Sequence, residues 1–207
     1  MFPTLFSKVM LLLTCCLGVS CLGVLVGRNI RSMVAFIVLL IAFIGGAIVV
    51  MLASNAAPPV AIGLLMGWTF ISGLFLGPCM QAYSEELGWQ TVFLCFLGTA
   101  GACAVSGMVG MLSGIDFSVL SSYLAVGLFG LIIFGIIGIF VRMSRTVNIV
   151  HGVIGMVIFT GYFLVDFFRI TRGENTWGES VRISMSLYLD FVNFLLYLLQ
   201  VVSASHK

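Results

Sequence analysis

Charge is what this chain has least of. Nine Lys and Arg and seven Asp and Glu make up 8% of 207 residues, where a soluble domain carries about a quarter. Side chains this scarce cannot coat a water-facing globule, so a soluble fold is excluded and the bilayer becomes the main solvent. The charge imbalance is small as well. A net +2 provides no basic face for a polyanion, and nucleic acid is excluded as a partner. Only four prolines occur, and no Pro/Ser-rich linker or charged tail divides the chain. A single transmembrane domain over 1–207 is therefore expected. There are two histidines, and the six cysteines (Cys15, Cys16, Cys21, Cys79, Cys95 and Cys103) are scattered through apolar runs without any CxxC. They read as small buried hydrophobes, with no support for a zinc site or a disulfide framework, and no cofactor is expected.

What the chain has instead is apolar length. Hydrophobic residues make up 61% and the mean hydropathy is +1.25. A crossing of the hydrocarbon core takes about 20 apolar residues. Seven runs come close: Val9 to Gly27, Ser32 to Ser54, Val60 to Gln81, Gln90 to Leu112, Phe117 to Val141, Val147 to Ile170, and Met185 to Val202. Arg28 and Arg31, Asn55 with Pro58-Pro59, Glu85-Glu86, Asp116, Arg142 with Arg145, and the stretch from Arg169 to Arg182 punctuate them. Backbone groups in lipid must be satisfied within the segment, and no period-two alternation marks a barrel. The expected fold is all-α: a polytopic seven-transmembrane-helix bundle with its termini on opposite sides. Lys8 before the first apolar run resembles a signal start, but no A-x-A site follows, and the segment is expected to stay as a helix. Gly63/Gly67, Gly73/Gly77 and Gly110/Gly114 have GxxxG spacing, which predicts close helix packing. Orientation is undecided. Inner segments would collect Lys8, Arg169, Arg172 and Arg182 one way, and Arg28, Arg31, Arg142, Arg145 and Lys207 the other.

Ionisable groups inside a span mark a functional site by default, because they are costly there. Two acids qualify: Asp166 near the end of the sixth run and Asp190 inside the seventh. Counted from the run ends, both lie roughly 6–8 Å inside the same boundary, so the carboxylates of this hairpin are expected to face each other. Ser186, Asn193, Tyr197 and Gln200 share one face with Asp190; Tyr162, Gly155 and His151 share one with Asp166. Such polar stripes must point into a bundle, which places the last helix at its centre. The bland readings are a local Asp166–Arg169 pair at i,i+3, a structural Asp190 hydrogen-bonded in the bundle, and an interfacial His151.

The same residues resemble a family. Ser186-Leu-Tyr-Leu-Asp-Phe-Val-Asn-Phe194, followed by Leu195-Leu-Tyr-Leu-Leu-Gln200, is similar to the last-helix signature of the Bax inhibitor-1 family. Phe70-Ile-Ser-Gly-Leu-Phe-Leu-Gly-Pro78 resembles the third-helix motif of its bacterial branch. Asp116-Phe117-Ser118 and the segment Gly161 to Ile170 resemble the opening of its fifth helix and the end of its sixth. The resemblance covers about the last two thirds of the chain. It implies seven helices with the last one central, and a pH-sensitive calcium leak controlled by aspartates at the positions of Asp166 and Asp190. It also implies integral membrane localisation, in the bacterial inner (plasma) membrane, and a stress-response role. Some bacterial relatives carry a basic cluster between the second and third helices that latches onto the aspartates. Here Ala53-Ser-Asn-Ala-Ala-Pro-Pro-Val60 has no charge, and the second helix has no acid.

The expected function is thus a proton-regulated leak for calcium. Asp166 and Asp190 are its cation ligands, supported along the pathway or at the gate by Ser186, Asn193, Tyr197, Tyr162 and Arg169. Oxygen donors suit a hard cation. Two adjacent carboxylates in a low dielectric cannot both ionise cheaply, so the pair is expected to share one proton. The partners expected are the lipid bilayer, calcium and protons. One alternative is a membrane interaction protein that regulates a membrane protease or a cell-death factor, with a membrane protein as its partner. A remote one is an intramembrane aspartyl protease, but Leu187-Tyr188-Leu189-Asp190 lacks the Gly-x-Gly-Asp of those enzymes. No enzymatic activity is expected.

Overall fold

The computed structural model describes residues 4–141 and 143–206, apart from the side chain at 139; Arg142 and Lys207 lie outside the described residues. Seven long helices follow one another: α1 Leu5–Gly27, α2 Met33–Ala53, α3 Pro58–Leu87, α4 Trp89–Leu112, α5 Leu120–Phe140, α6 Arg145–Arg172 and α7 Trp177–His206. A 3-10 turn, Phe117–Val119, precedes α5, and no strand occurs among the described residues. All seven helices are long and apolar enough to cross a membrane. Their starts follow local chemistry. Thr4 and Ser32 accept from the Ser7 and Ala35 amides at the heads of α1 and α2. Pro58 opens α3, where its missing N–H costs nothing.

The last span is the largest departure from the sequence reading. It begins at Trp177 rather than Met185 and runs 30 residues, so most of the stretch from Arg169 to Arg182 is helix and only 173–176 turns. The polar residues there suggested a loop. In fact Ser180 and Ser184 are buried, and Trp177 and Arg182 are half-buried.

The helices group into two compact units. One holds α1, α2, nearly all of α3 and the segment Gly173–Tyr188; the other holds α4, α5, α6 and the rest of α7 from Leu189. In the first unit α1 crosses α3 almost backbone to backbone. A methyl group on Gly23 would collide with the Phe70 carbonyl, and one on Gly73 with the Ser20 carbonyl. Gly73/Gly77 therefore packs as its spacing predicts, with Gly23/Gly27 as its partner. Gly63 and Gly67 meet nothing, and Gly114 lies past the end of α4 at φ +69°, so those two motifs do not act as helix-packing pairs. The Tyr188 hydroxyl, fully buried, is hydrogen-bonded to Ser20 Oγ (2.7 Å) and Ser72 Oγ (2.8 Å). α2 buries only Val50. It is held to α3 by the Trp68 indole N–H, which donates to the Phe43 carbonyl at 2.8 Å, and by stacked Phe43 and Phe75 rings.

In the second unit α6 is the hub. Gly107 and Gly110 of α4 receive Phe167 and Leu164 of α6, and Gly161 of α6 receives Leu124 of α5. Phe117 packs with Val165 and Phe168. Tyr197 lies over Gly155 and Val201 over Gly152, and the Phe163 and Phe194 rings are 6.0 Å apart. These pairs set the antiparallel register of α6 with the second half of α7.

Candidate functional site

That register, rather than the position of the helix ends, brings the two acids together. Asp166 lies six residues before the last residue of α6, and Asp190 thirteen after the first of α7. The equal-depth count from span ends therefore used the wrong ends. The carboxyls nevertheless meet: Asp190 lies within hydrogen-bonding and charge range of Asp166. Both are buried, at 5% and 2% exposure. A hydrogen bond between two carboxyl groups requires a proton on one of them, since an ionised carboxylate only accepts. No N–H or hydroxyl donor among the described residues reaches Asp190 Oδ2.

Arg169 completes the core of the site. Its Nη1 is 3.2 Å from Asp166 Oδ1, with the guanidinium 42% exposed and the carboxylate nearly enclosed. The local i,i+3 pair and the carboxyl pair thus coexist, in the order Arg169, Asp166, Asp190. Tyr162, one turn before Asp166, lies within electrostatic range of both acids. Cys103 of α4 brings its thiol close to Asp190. Cys103 was not legible as a neighbour of the pair, since a lone cysteine in an apolar run carries no spacing signal.

The other expected support residues are placed differently. Ser186 is half-buried one turn before Asp190 on α7. Asn193 spends its amide N–H on the Leu189 carbonyl of its own helix at 2.8 Å. Tyr197 is two turns past Asp190, about 10 Å along the axis. There it stacks on Phe159 (5.8 Å) and meets the His151 ring edge-on. It belongs to a cluster around His151 and not to the carboxylates. Among the described residues no group of three or more His, Cys, Asp or Glu side chains gathers that could hold a metal ion. Calcium takes six to eight oxygens, more than two carboxyl groups supply.

Two cations in the first unit were underestimated. Lys8, 4% exposed, donates from Nζ to the Asn175 carbonyl at 3.1 Å and lies 5.0 Å from the centre of the Trp177 ring. Arg182, expected in a loop, is on α7. Its Nε donates to Ser54 Oγ and its Nη2 to Asn55 Oδ1, both at 2.8 Å, and Glu179 is 3.5 Å from Nη1. The uncharged connection between α2 and α3 is thus held by an arginine from elsewhere in the chain. Outside the spans, Asp116 accepts from the Ser118 amide at 2.9 Å, and this bonding to Ser118 holds its carboxyl below the usual carboxylate range.

With this geometry established, the comparisons with known proteins become informative. Over residues 3–207 the chain matches the model of a family described as inhibitor of apoptosis-promoting Bax1. It is 29% identical over 163 residues to an uncharacterized membrane protein of Streptococcus pyogenes serotype M1, covering 74% of this chain and 69% of the relative. An uncharacterized protein of Borreliella burgdorferi is 29% identical over 148 residues, 68% of this chain and 62% of its own. A Golgi anti-apoptotic protein of vaccinia virus (strain Lister) is 32% identical over 149 residues, 72% of this chain and 60% of its own. The matches thus span about two thirds of these relatives' lengths.

Proposed function

This chain belongs to the Bax inhibitor-1 family, and from that premise we propose that it is a proton-controlled calcium leak of the bacterial plasma membrane. The observation that carries the reading is the buried Asp166–Asp190 pair on α6 and α7. With one proton shared, the two helices are joined by a hydrogen bond. With none, two like charges confront each other in a low dielectric, and the helices separate or admit a cation between them. Arg169 offsets part of the repulsion and is open enough to solvent to swing away. Tyr162 borders the pair on α6. The proposal contains no enzymatic step.

Calcium flux from proteoliposomes across a pH series tests this. Asp166→Asn and Asp190→Asn are each expected to flatten the pH dependence while leaving the protein folded. A wild-type profile in both variants would end the proposal.

A second reading has one observation in its favour, the likeness to a viral Golgi anti-apoptotic protein. In it the chain acts by binding a membrane protein that governs cell death or proteolysis. Both aspartate variants would then keep full activity in a protection assay while losing pH-dependent flux.

A further inference from the structure

The carboxyls occupy only one end of the α6–α7 pair. Fifteen residues earlier on α6, about 22 Å away along the axis, the two helices are joined again through His151. Its Nδ1 is 3.2 Å from Gln200 Nε2 of α7, and the same amide nitrogen donates to the Asn148 carbonyl at 3.0 Å. The ring stacks on Phe134 of α5, with centroids 4.5 Å apart, and Tyr197 meets it edge-on at 5.4 Å. Nε2 is fully buried and has no hydrogen-bond partner among the described residues. The ring also walls an apolar groove of about 390 Å³ between α5 and α6, together with Leu131, Val147, Val150 and Ile154.

Counting donors fixes the protonation state. The Asn148 carbonyl can only accept, so the NH₂ side of Gln200 must face it. The two hydrogens of that NH₂ are then spent, one on Asn148 and one on His151 Nδ1. Nδ1 is therefore an acceptor, and the imidazole is neutral with its proton on Nε2. A second proton on Nδ1 would set N–H against N–H. Turning the amide over would point its oxygen at the Asn148 carbonyl instead. The new charge would also lie against an apolar wall.

The Leu131 carbonyl of α5 is a backbone acceptor near the ring, but no carboxylate among the described residues stands there. The residues of α5 against it are uncharged, and α7 offers Tyr197 and Gln200. On α6, Arg145 is one and a half turns away and donates to the Ser205 carbonyl at 2.8 Å. None of these is an acid.

We propose that His151 and Gln200 form a latch between α6 and α7 that holds only while His151 is neutral. The two ends of the pair then answer protons in opposite senses: the carboxyl end is joined by gaining one and the histidine end is parted by it. The latch stands on its hydrogen bonds alone; only its consequence for ion flux rests on the leak reading.

Nitrogen-15 NMR of histidine-labelled protein in nanodiscs tests it directly. The chain has two histidines, and His206, exposed at the end of α7, is the internal reference. Wild type at neutral pH is expected to show one neutral tautomer for His151, protonated at Nε2. Gln200→Leu should mix the tautomers. Gln200→Glu, which offers a carboxylate to accept from Nδ1, should give an imidazolium at the same pH. A wild-type His151 protonated at Nδ1, or a Gln200→Glu spectrum unchanged from wild type, overturns the latch. The wild-type spectrum decides the tautomer even where a variant fails to fold, and neither readout depends on calcium passing through the protein.

Discussion

The two units bury polar groups in contrasting ways. In the first, the Tyr188 hydroxyl sits between two serine hydroxyls, and Arg182 spends its fork on Ser54 and Asn55. Each group finds hydroxyl or amide partners suited to it, Arg182 with Glu179 beside it as well, and close glycine contacts fix the helices around them. In the second, two carboxyls lean on each other and on one half-exposed arginine, and a buried imidazole has only the Gln200 amide and the Leu131 carbonyl beside it among the described residues. A satisfied neutral network looks the same at any ordinary pH, whereas a pair of acids or a buried imidazole does not. On the proposed reading, this difference separates polar residues that hold a fold from polar residues that respond to conditions.

Substitutions at four positions can break or sharpen that contrast. The largest effect is expected from Gly73→Leu, which forces a side chain into the Ser20 backbone. A loss above about 3 kcal/mol, or failure to fold, should appear in thermal melts in detergent; a near-wild-type melt would show that the crossing is looser than described. Arg182→Ala should cost about 1–2 kcal/mol, since Ser54 Oγ and Asn55 Oδ1 both lose their donor, leaving Ser54 only its bond to the Met51 carbonyl, and the α2–α3 connection is freed. Arg182→Lys should recover little of this, lacking the planar fork, and full recovery would argue that charge alone matters. Tyr188→Phe should cost about 1 kcal/mol, typical of hydrogen bonds between helices in lipid, without altering any pH profile. A changed profile would blur the contrast between the units.

The smallest effect is at Asp116. Its carboxyl is held below the usual range by Ser118, so its contribution is present above the unfolded pKa and fades as pH falls through the folded value. Asp116→Asn should slightly flatten the acid limb of a stability–pH curve; an unchanged limb would remove the cap from the account.

The seven crossings were legible in the sequence because apolar length alone determines them. So was the meeting of Asp166 with Asp190, which rests on helical stripes that survive an error in the helix ends. The start of α7 was not legible. Trp177, Ser180 and Arg182 read as loop residues, and their fit as helix depends on the Lys8 amine, the Ser54 hydroxyl and the α2–α3 connection, all more than a hundred positions away. The bonding of Asn193 was not legible for a different reason: a stripe gives the face of a helix, while a rotamer decides whether the side chain turns back to its own backbone. Tyr197 shares a face with Asp190, yet distance along the helix assigns it to His151.

The central claim is that Asp166 and Asp190 share one proton, and infrared spectroscopy of the carboxyl stretch reads it most directly. At neutral pH the wild type is predicted to show one protonated carboxyl in a dry environment. In Asp190→Asn that signal should vanish, because the remaining Asp166 is left ionised beside Arg169. No protonated carboxyl in the wild type, or a signal that persists unchanged in Asp190→Asn, would contradict the account.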